Sequence, residues 1–458
     1  MNRALIIFFS LSFLLLSGCK KDNTFTKDHL DFSTDSVLFD TVFTTVGSTT
    51  QRFRIYNNNN SKIKIDEIEL MGGSSSPFRI NIDGVSGIFH EDILLNRNDS
   101  LFAFVEVTLQ VNSTTNPLVI SDSIRFLTNG QNQYVHLDVW GQDAYFHNNE
   151  IVAGTWLNDK PHVIYGLAAV GYPGIDSNLN LTIPQGTDVY CHKNSMLLVY
   201  KSSIDIQGQL NNEVTFQGDR LESFYDDVSG QWWGIRLIEA QTSTINYAII
   251  KNGAIGVQVD STQDPLTLTM TNTKIENFDF FNLYVAAGAN VVAENCLFGD
   301  AGLYGVFLFA GGEYNFTNCN FTNYWSGSRG GPALAIKTWY EYEGVNYVRP
   351  VVNSRFDNCA IYGTVDKELE IDTIPGATFD CIFNHNLVKR DVIYDYPNFI
   401  SNFWNLDPLF ISPSDGDFHF EAGSALDNVG DALYSTPLDI EGVARNAGSP
   451  DIGCYEKL

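Results

Sequence analysis

Positive charge is scarce in this sequence: 27 lysines and arginines stand against 54 acidic residues, a formal net charge of −27. Binding to a nucleic acid backbone rests on cationic contacts, so no nucleic acid partner is expected. An anionic polymer such as polygalacturonate meets the same repulsion and needs bridging cations or a local basic groove. Long apolar runs are also missing after the first residues. No later stretch reaches the roughly 20 apolar residues that a membrane-spanning helix requires. A serine-nucleophile motif, a phosphate loop and a zinc-protease helix are all absent. Paired zinc ligands are wanting too: His192 beside Cys191, and Cys381 with His385, lack further ligands at zinc spacing.

The one long apolar run lies at the start. Arg3 precedes Ala4 to Leu16, broken only by Ser10 and Ser12, and Ser17, Gly18 and Cys19 follow. That is the order of a secretory signal, too short to stay as a spanning helix. Leu16 to Cys19 resembles a lipobox, which implies a signal peptide over residues 1–18, acylation of Cys19 and a polar tether over 19–30. Acyl chains contribute about 0.8 kcal/mol per buried methylene, enough in combination to hold a polypeptide on a membrane. The expected location is therefore the cell envelope, lipid-anchored to the outer membrane of a Gram-negative bacterium, periplasmic or surface-exposed.

From residue 31 to 143, apolar and polar residues alternate in short runs between Asn, Gly, Ser and Pro. Examples are Phe53 and Ile55, Ile63 and Ile65, Phe78, Ile80 and Ile82, Phe102 and Phe104, Val105 and Val107, and Val135, Leu137 and Val139. Period-two runs at this spacing predict a β-sandwich. The stretch from Arg52 to Ile80 resembles immunoglobulin-like modules of the hydin type, which implies a spacer or adhesive role.

Residues 144–406 carry an internal repeat. Asn246, Asn272, Asn295, Asn318, Asn358 and Asp380 recur at intervals of 26, 23, 23, 40 and 22 residues. Three positions after each stand Ile249, Ile275, Phe298, Phe321, Ile361 and Phe383, and one position after stand Tyr247, Thr273, Cys296, Cys319, Cys359 and Cys381. Positions one and three share a face of a strand. A coil of about 22 residues whose equivalent positions stack predicts a right-handed parallel β-helix, a pectate-lyase-like solenoid. The four aligned cysteines then form a buried ladder of thiols. The alternative is a disulfide between neighbouring coils, such as Cys296 with Cys319, although in-register side chains point the same way and fit the dihedral poorly.

Leu179 to Gly218, and then Gln231 to Leu237, resemble the opening coils of bacterial right-handed β-helix proteins. Residues 407–458, with Asp407 Pro408 Leu409 Phe410, Gly416 Asp417 Phe418 and Pro450 Asp451 Ile452 Gly453, resemble the C-terminal region of the choice-of-anchor Q family. That resemblance implies an exported β-helix protein, and physically the segment is expected to cap the open strand edges of the last coil. The chain is thus read as all-β: sandwich, parallel β-helix and C-terminal cap.

Two groups of residues invite chemistry. Asp219, Glu222, Asp226 and Asp227 are calcium candidates, but one long loop holds all four, and a solvated loop explains them as well. No other cofactor is implied. The interval of 40 exceeds a coil by about 17 residues, and the excess brings Trp325, Arg329, Lys337, Trp339, Tyr340, Tyr342, Tyr347 and Arg349. Aromatic residues with charged neighbours on a solenoid surface suit stacking on sugar rings. Alternatively they pack the insertion against the helix. Binding of a glycan or a surface protein is the expected function; a polysaccharide lyase or glycoside hydrolase is the alternative, for which no catalytic constellation is identified.

Overall fold

The computed structural model describes residues 29–43, 48, 50–109, 118–260, 267–286, 288–393 and 398–457. Cys19, the expected signal peptide and most of the expected tether lie outside them. Regular structure among the described residues is strand, with short 3-10 turns, and no helix is long and apolar enough to cross a membrane. The chain divides into two compact units after Asp143.

The first unit is a sandwich of two five-stranded sheets. One orders Asp31–Phe32, Gln51–Asn57, Asp99–Val107, Phe78–Ile82 and Val85–Ser86; the other orders Ser36–Phe43, Gln131–Gln142, Leu118–Thr128, Ile63–Leu70 and Phe89–Leu95. Alternation puts Phe53, Ile55, Ile80, Ala103 and Val105 of one sheet against Ile65, Ile68, Phe126, Leu137 and Val139 of the other. Val105 and Val107 face the core, so Phe102 and Phe104 point to the outer face, where Phe102 lies under the guanidinium of Arg54.

In the second unit each coil has three strands. Leu297–Ala301, Tyr304–Phe309 and Glu313–Thr317 stack in parallel register on Lys274–Phe278, Phe281–Ala286 and Asn290–Glu294. The corner from each third strand to the next coil needs one left-handed residue, and Asn272, Asn295, Asn318 and Asn358 take it with φ of 50°, 51°, 51° and 53°. Asparagine tolerates that conformation better than other side chains. Its amide then bonds along the axis, Asn295 Nδ2 donating to Asn272 Oδ1 at 3.2 Å.

The repeat departs from its sequence alignment at both ends. Tyr247, not Asn246, occupies the first corner, and Ile250, not Ile249, lies opposite Ile275. At the far end His385, not Asp380, takes the left-handed corner. The inward column is therefore Ile250, Ile275, Phe298, Phe321, Ile361 and Val388. Phe383 belongs to a second column, stacked 4.8 Å from Phe356 and 4.8 Å from Phe399. Cys381 consequently pairs with Ser354, and the cysteine ladder has three rungs, Cys296, Cys319 and Cys359. All six described cysteines are buried free thiols. Burial pushes the Cys296 and Cys319 thiols well above their ordinary pKa.

The first coil opens on a ring stack. Trp156 lies 4.1 Å from His162 and 4.5 Å from His147, all three nearly coplanar in orientation. The two histidines share a 2.8 Å hydrogen bond between His147 Nε2 and His162 Nδ1.

The C-terminal segment does not lie across the end of the solenoid. It runs along the flank, where Phe418, Leu426, Ile440, Ile452 and Cys454 cover the outward side chains Leu297, Ala360 and Leu387. The asparagine corners explain this course, because their side-chain amides also bond the passing segment. Asn358 Nδ2 donates to the carbonyls of Asp431 and Tyr434, and Arg445 Nη2 reaches Asn295 Oδ1 at 3.0 Å. The segment is a strap over several coils.

Candidate functional site

The middle strand of each coil carries an outward face that the strap leaves free. In register along it run Leu198, Arg236, Gln258, Tyr284, Phe307, Ala335 and Glu370. Two residues further on run Ala286, Phe309, Lys337 and Asp372, and on the other side Ile255, Phe281 and Tyr304. Two adjacent coils thus bring five aromatic rings together.

These rings form one connected strip. Phe281 lies 5.0 Å from Tyr284 and 5.9 Å from Tyr304; Tyr304 lies 4.8 Å from Phe307, and Phe307 lies 5.4 Å from Phe309. All five are half-buried. The strip continues onto the insertion, which is an antiparallel hairpin of Trp339–Tyr342 and Val345–Val348. Phe309 meets Tyr340 at 6.3 Å, and Tyr340 stacks on its cross-strand partner Tyr347 at 5.2 Å with 12° between the rings. Tyr342, on the same hairpin face, is 60% exposed and leaves a ring available to a ligand.

Polar groups bracket the strip. At one end Arg236 pairs with Asp260 at 2.7 Å, and Gln258 Nε2 donates to the same carboxylate at 3.0 Å. At the other, Lys337 sits 4.0 Å over the Trp339 ring and 3.0 Å from Asp372, which also accepts from the Trp339 indole at 2.9 Å. Partial burial opposes ionisation of Asp372, yet the indole N–H and the ammonium hold its carboxyl below the usual range. Burial pushes the Tyr284 hydroxyl upward, with Asp260 adding to the effect.

Of the residues expected from sequence, Lys337, Trp339, Tyr340, Tyr342 and Tyr347 meet at this site, and Arg349 stands at the base of the hairpin, its N–H bonded to the Thr338 carbonyl. Arg329 does not. It is buried with Glu368 at 2.5 Å and holds the Asn323 carbonyl, so it braces the insertion from within. Trp325 packs over Gly302 and Gly327 at another corner. Sequence reasoning missed Phe281, Tyr284, Tyr304, Phe307 and Phe309. The signal was present, since Phe281 and Tyr304, like Tyr284 and Phe307, are 23 residues apart, one coil.

The calcium candidates are not assembled. Asp219 is bonded to His192 Nδ1 at 2.6 Å, with His192 stacked on Tyr165, and Asp226 offers its backbone carbonyl to Asn252. Among the described residues no group of three or more His, Cys, Asp or Glu is placed to hold a metal ion. At a corner beside the strap, Glu276 is raised by burial, and Asp300 on the next coil is pushed up to about 6 by burial, with Glu276 adding to the effect. These are two coils, without a third carboxylate stacked on them.

Comparison with known proteins adds little detail. A family 123 glycoside hydrolase from Clostridium perfringens is matched with a TM-score of 0.19 and 7% identity, over 26% of this chain and 30% of that one. The human CEP192 ASH / PapD-like domain 7 is matched with a TM-score of 0.18 and 11% identity, over 28% of this chain and 94% of that one. Both likenesses are slight, and nothing about the fold or the site follows from them. No curated protein matches the chain. The family model described as a right handed beta helix region matches residues 255–394, the stretch that holds the strip and its hairpin.

Proposed function

We propose that this protein is a cell-envelope lipoprotein, anchored through Cys19, whose solenoid binds a glycan chain along the aromatic strip. The supporting observation is the strip itself: half-exposed rings from Phe281 to Tyr347, bracketed by the Arg236–Asp260 and Lys337–Asp372 pairs. Pyranose rings present apolar C–H faces and hydroxyl edges. An aromatic floor takes the first, and fixed carboxylate, amide and ammonium groups take the second. Coils about 4.8 Å apart repeat these contacts, which suits a polymer better than a single sugar.

The test is a glycan array probed with the acyl-free chain from residue 20. Binding to at least one neutral or weakly charged polysaccharide, lost in Phe307→Ala with Tyr340→Ala, supports the reading. An array with no retained glycan, together with capture of a surface protein by the same strip, would replace glycan by protein as the ligand.

A further inference from the structure

The outer face of the first sheet in the N-terminal unit concentrates what the chain as a whole is short of. Register places Arg54 opposite Phe102, Phe104 between Arg52 and Asn81, and Glu106 opposite Arg79. The three arginines are exposed. Arg54 lies 4.5 Å over the Phe102 ring and Arg52 lies 5.7 Å from it, while Phe102 and Phe104 stack at 5.9 Å. None of the three arginines forms an ion pair among the described residues, in contrast to Arg125, Arg236, Arg329, Arg355 and Arg445. Beside them opens a cavity of about 540 Å³ whose lining includes Thr50, Arg79, Asn81, Ser86, Phe104 and Glu106. That volume falls within the roughly 300–1,000 Å³ of small-ligand sites.

We propose that this face is a second binding site, for a carboxylate-bearing saccharide. Arg52 and Arg54, and Arg79 whose Nη1 donates to the Ser76 and Phe78 carbonyls at 2.7 Å, have no carboxylate partner among the described residues, and in a chain of net charge −27 such guanidinium groups select an anion. The Phe104 ring with Thr50, Asn81 and Ser86 around it calls for an apolar ring face edged with hydroxyls, which a uronate sugar has and an acidic peptide lacks. Glu106, already accepting from Thr50 Oγ1 at 2.7 Å, repels a second carboxylate and receives a sugar hydroxyl, so it fixes which end of the ligand carries the charge. The site is independent of the strip on the solenoid.

Calorimetric titration of the chain from residue 20 with trigalacturonate, and with its methyl ester as the uncharged comparator, tests this. The acid is expected to bind about tenfold or more tighter than the ester and to weaken as salt rises. Arg52→Gln with Arg54→Gln, both exposed, should remove about tenfold of that affinity, Glu106→Gln should raise it, and Phe307→Ala should leave it unchanged. Equal binding of acid and ester, no binding of either, or an unaffected double variant overturns the proposal. So does an oligoglutamate that binds as tightly as the sugar.

Discussion

Glu368 and Arg329 form a fully buried ion pair, 2.5 Å apart with side chains 0% and 2% exposed, between the inserted segment and the coil beyond it. The Glu368 carboxylate also accepts the backbone N–H groups of Ala333 and Val365 at 2.8 and 2.9 Å. Removing one partner of such a pair leaves an uncompensated charge. Arg329→Met is expected to cost about 3–5 kcal/mol in chemical denaturation. Adding Glu368→Gln should recover part of that loss, because it removes the uncompensated charge while its one amide oxygen still accepts from Ala333 or Val365. A double variant no more stable than Arg329→Met contradicts the assignment.

Asp300 occupies a corner that asparagine takes on the neighbouring coils, where Asn277 Nδ2 bonds Asn252 Oδ1 at 2.7 Å. Burial raises its pKa to about 6, above an unfolded value near 3.9. The folded state therefore binds the extra proton between those values, and this group costs stability as pH rises through about 6. Asp300→Asn keeps the acceptor for the Tyr324 N–H, and should stabilise the protein by about 1–2 kcal/mol at pH 7.5 with little effect at pH 4. Thermal melts across that range measure the difference; a variant equally shifted at both pH values refutes the titration.

His162 gives the opposite sign. Burial, despite its bond to the Leu157 carbonyl, lowers its pKa to about 4, and His147 is lowered by burial as well. The unfolded state binds the proton first, so stability is lost as pH falls from about 6.5 towards 4. Hydrogen exchange at Val163 and Ile164 should accelerate over that interval, ahead of strands in the middle of the solenoid. Uniform acceleration along the whole unit would show that the histidine pair is not the cause.

The thiols of Cys296, Cys319 and Cys359 are fully buried and donate to carbonyls along the ladder, Cys319 Sγ to Thr317 O at 3.4 Å. An aromatic disulfide reagent should label none of the six described cysteines in the native chain and all six after denaturation, without prior reduction. Protection that survives denaturation until a reductant is added would reveal a disulfide.

Much of this architecture was legible from residues alone, because a repeat constrains the fold at every turn. Corner asparagines announce the coil, and alternation announces the sandwich. Two kinds of feature were hidden. The alignment slips at Asn246 and Asp380 because an Asn or Asp also stands beside the true corner; the pairing of Ile250 with Ile275 decides the register at the first, and the Phe356–Phe383–Phe399 stack decides it at the second. Facing was hidden too. Alternation puts Phe102, Phe104 and Phe307 outside once Val105 and Leu308 are known to be inside, whereas Phe281 turns outward only because Asn282 and Leu283 are both buried beside it. Arg329 shows the converse, a charge in a surface insertion drawn into the interior by a carboxylate 39 positions away.

The strip as a glycan platform is tested most directly by one comparison. The polysaccharide retained on the array is titrated against the parent chain, Phe307→Ala, Tyr342→Ala and Trp325→Ala. Loss of about fivefold or more in the first two, with Trp325→Ala unchanged, is the predicted result. Equal affinity in Phe307→Ala and the parent, or loss in Trp325→Ala alone, would contradict it.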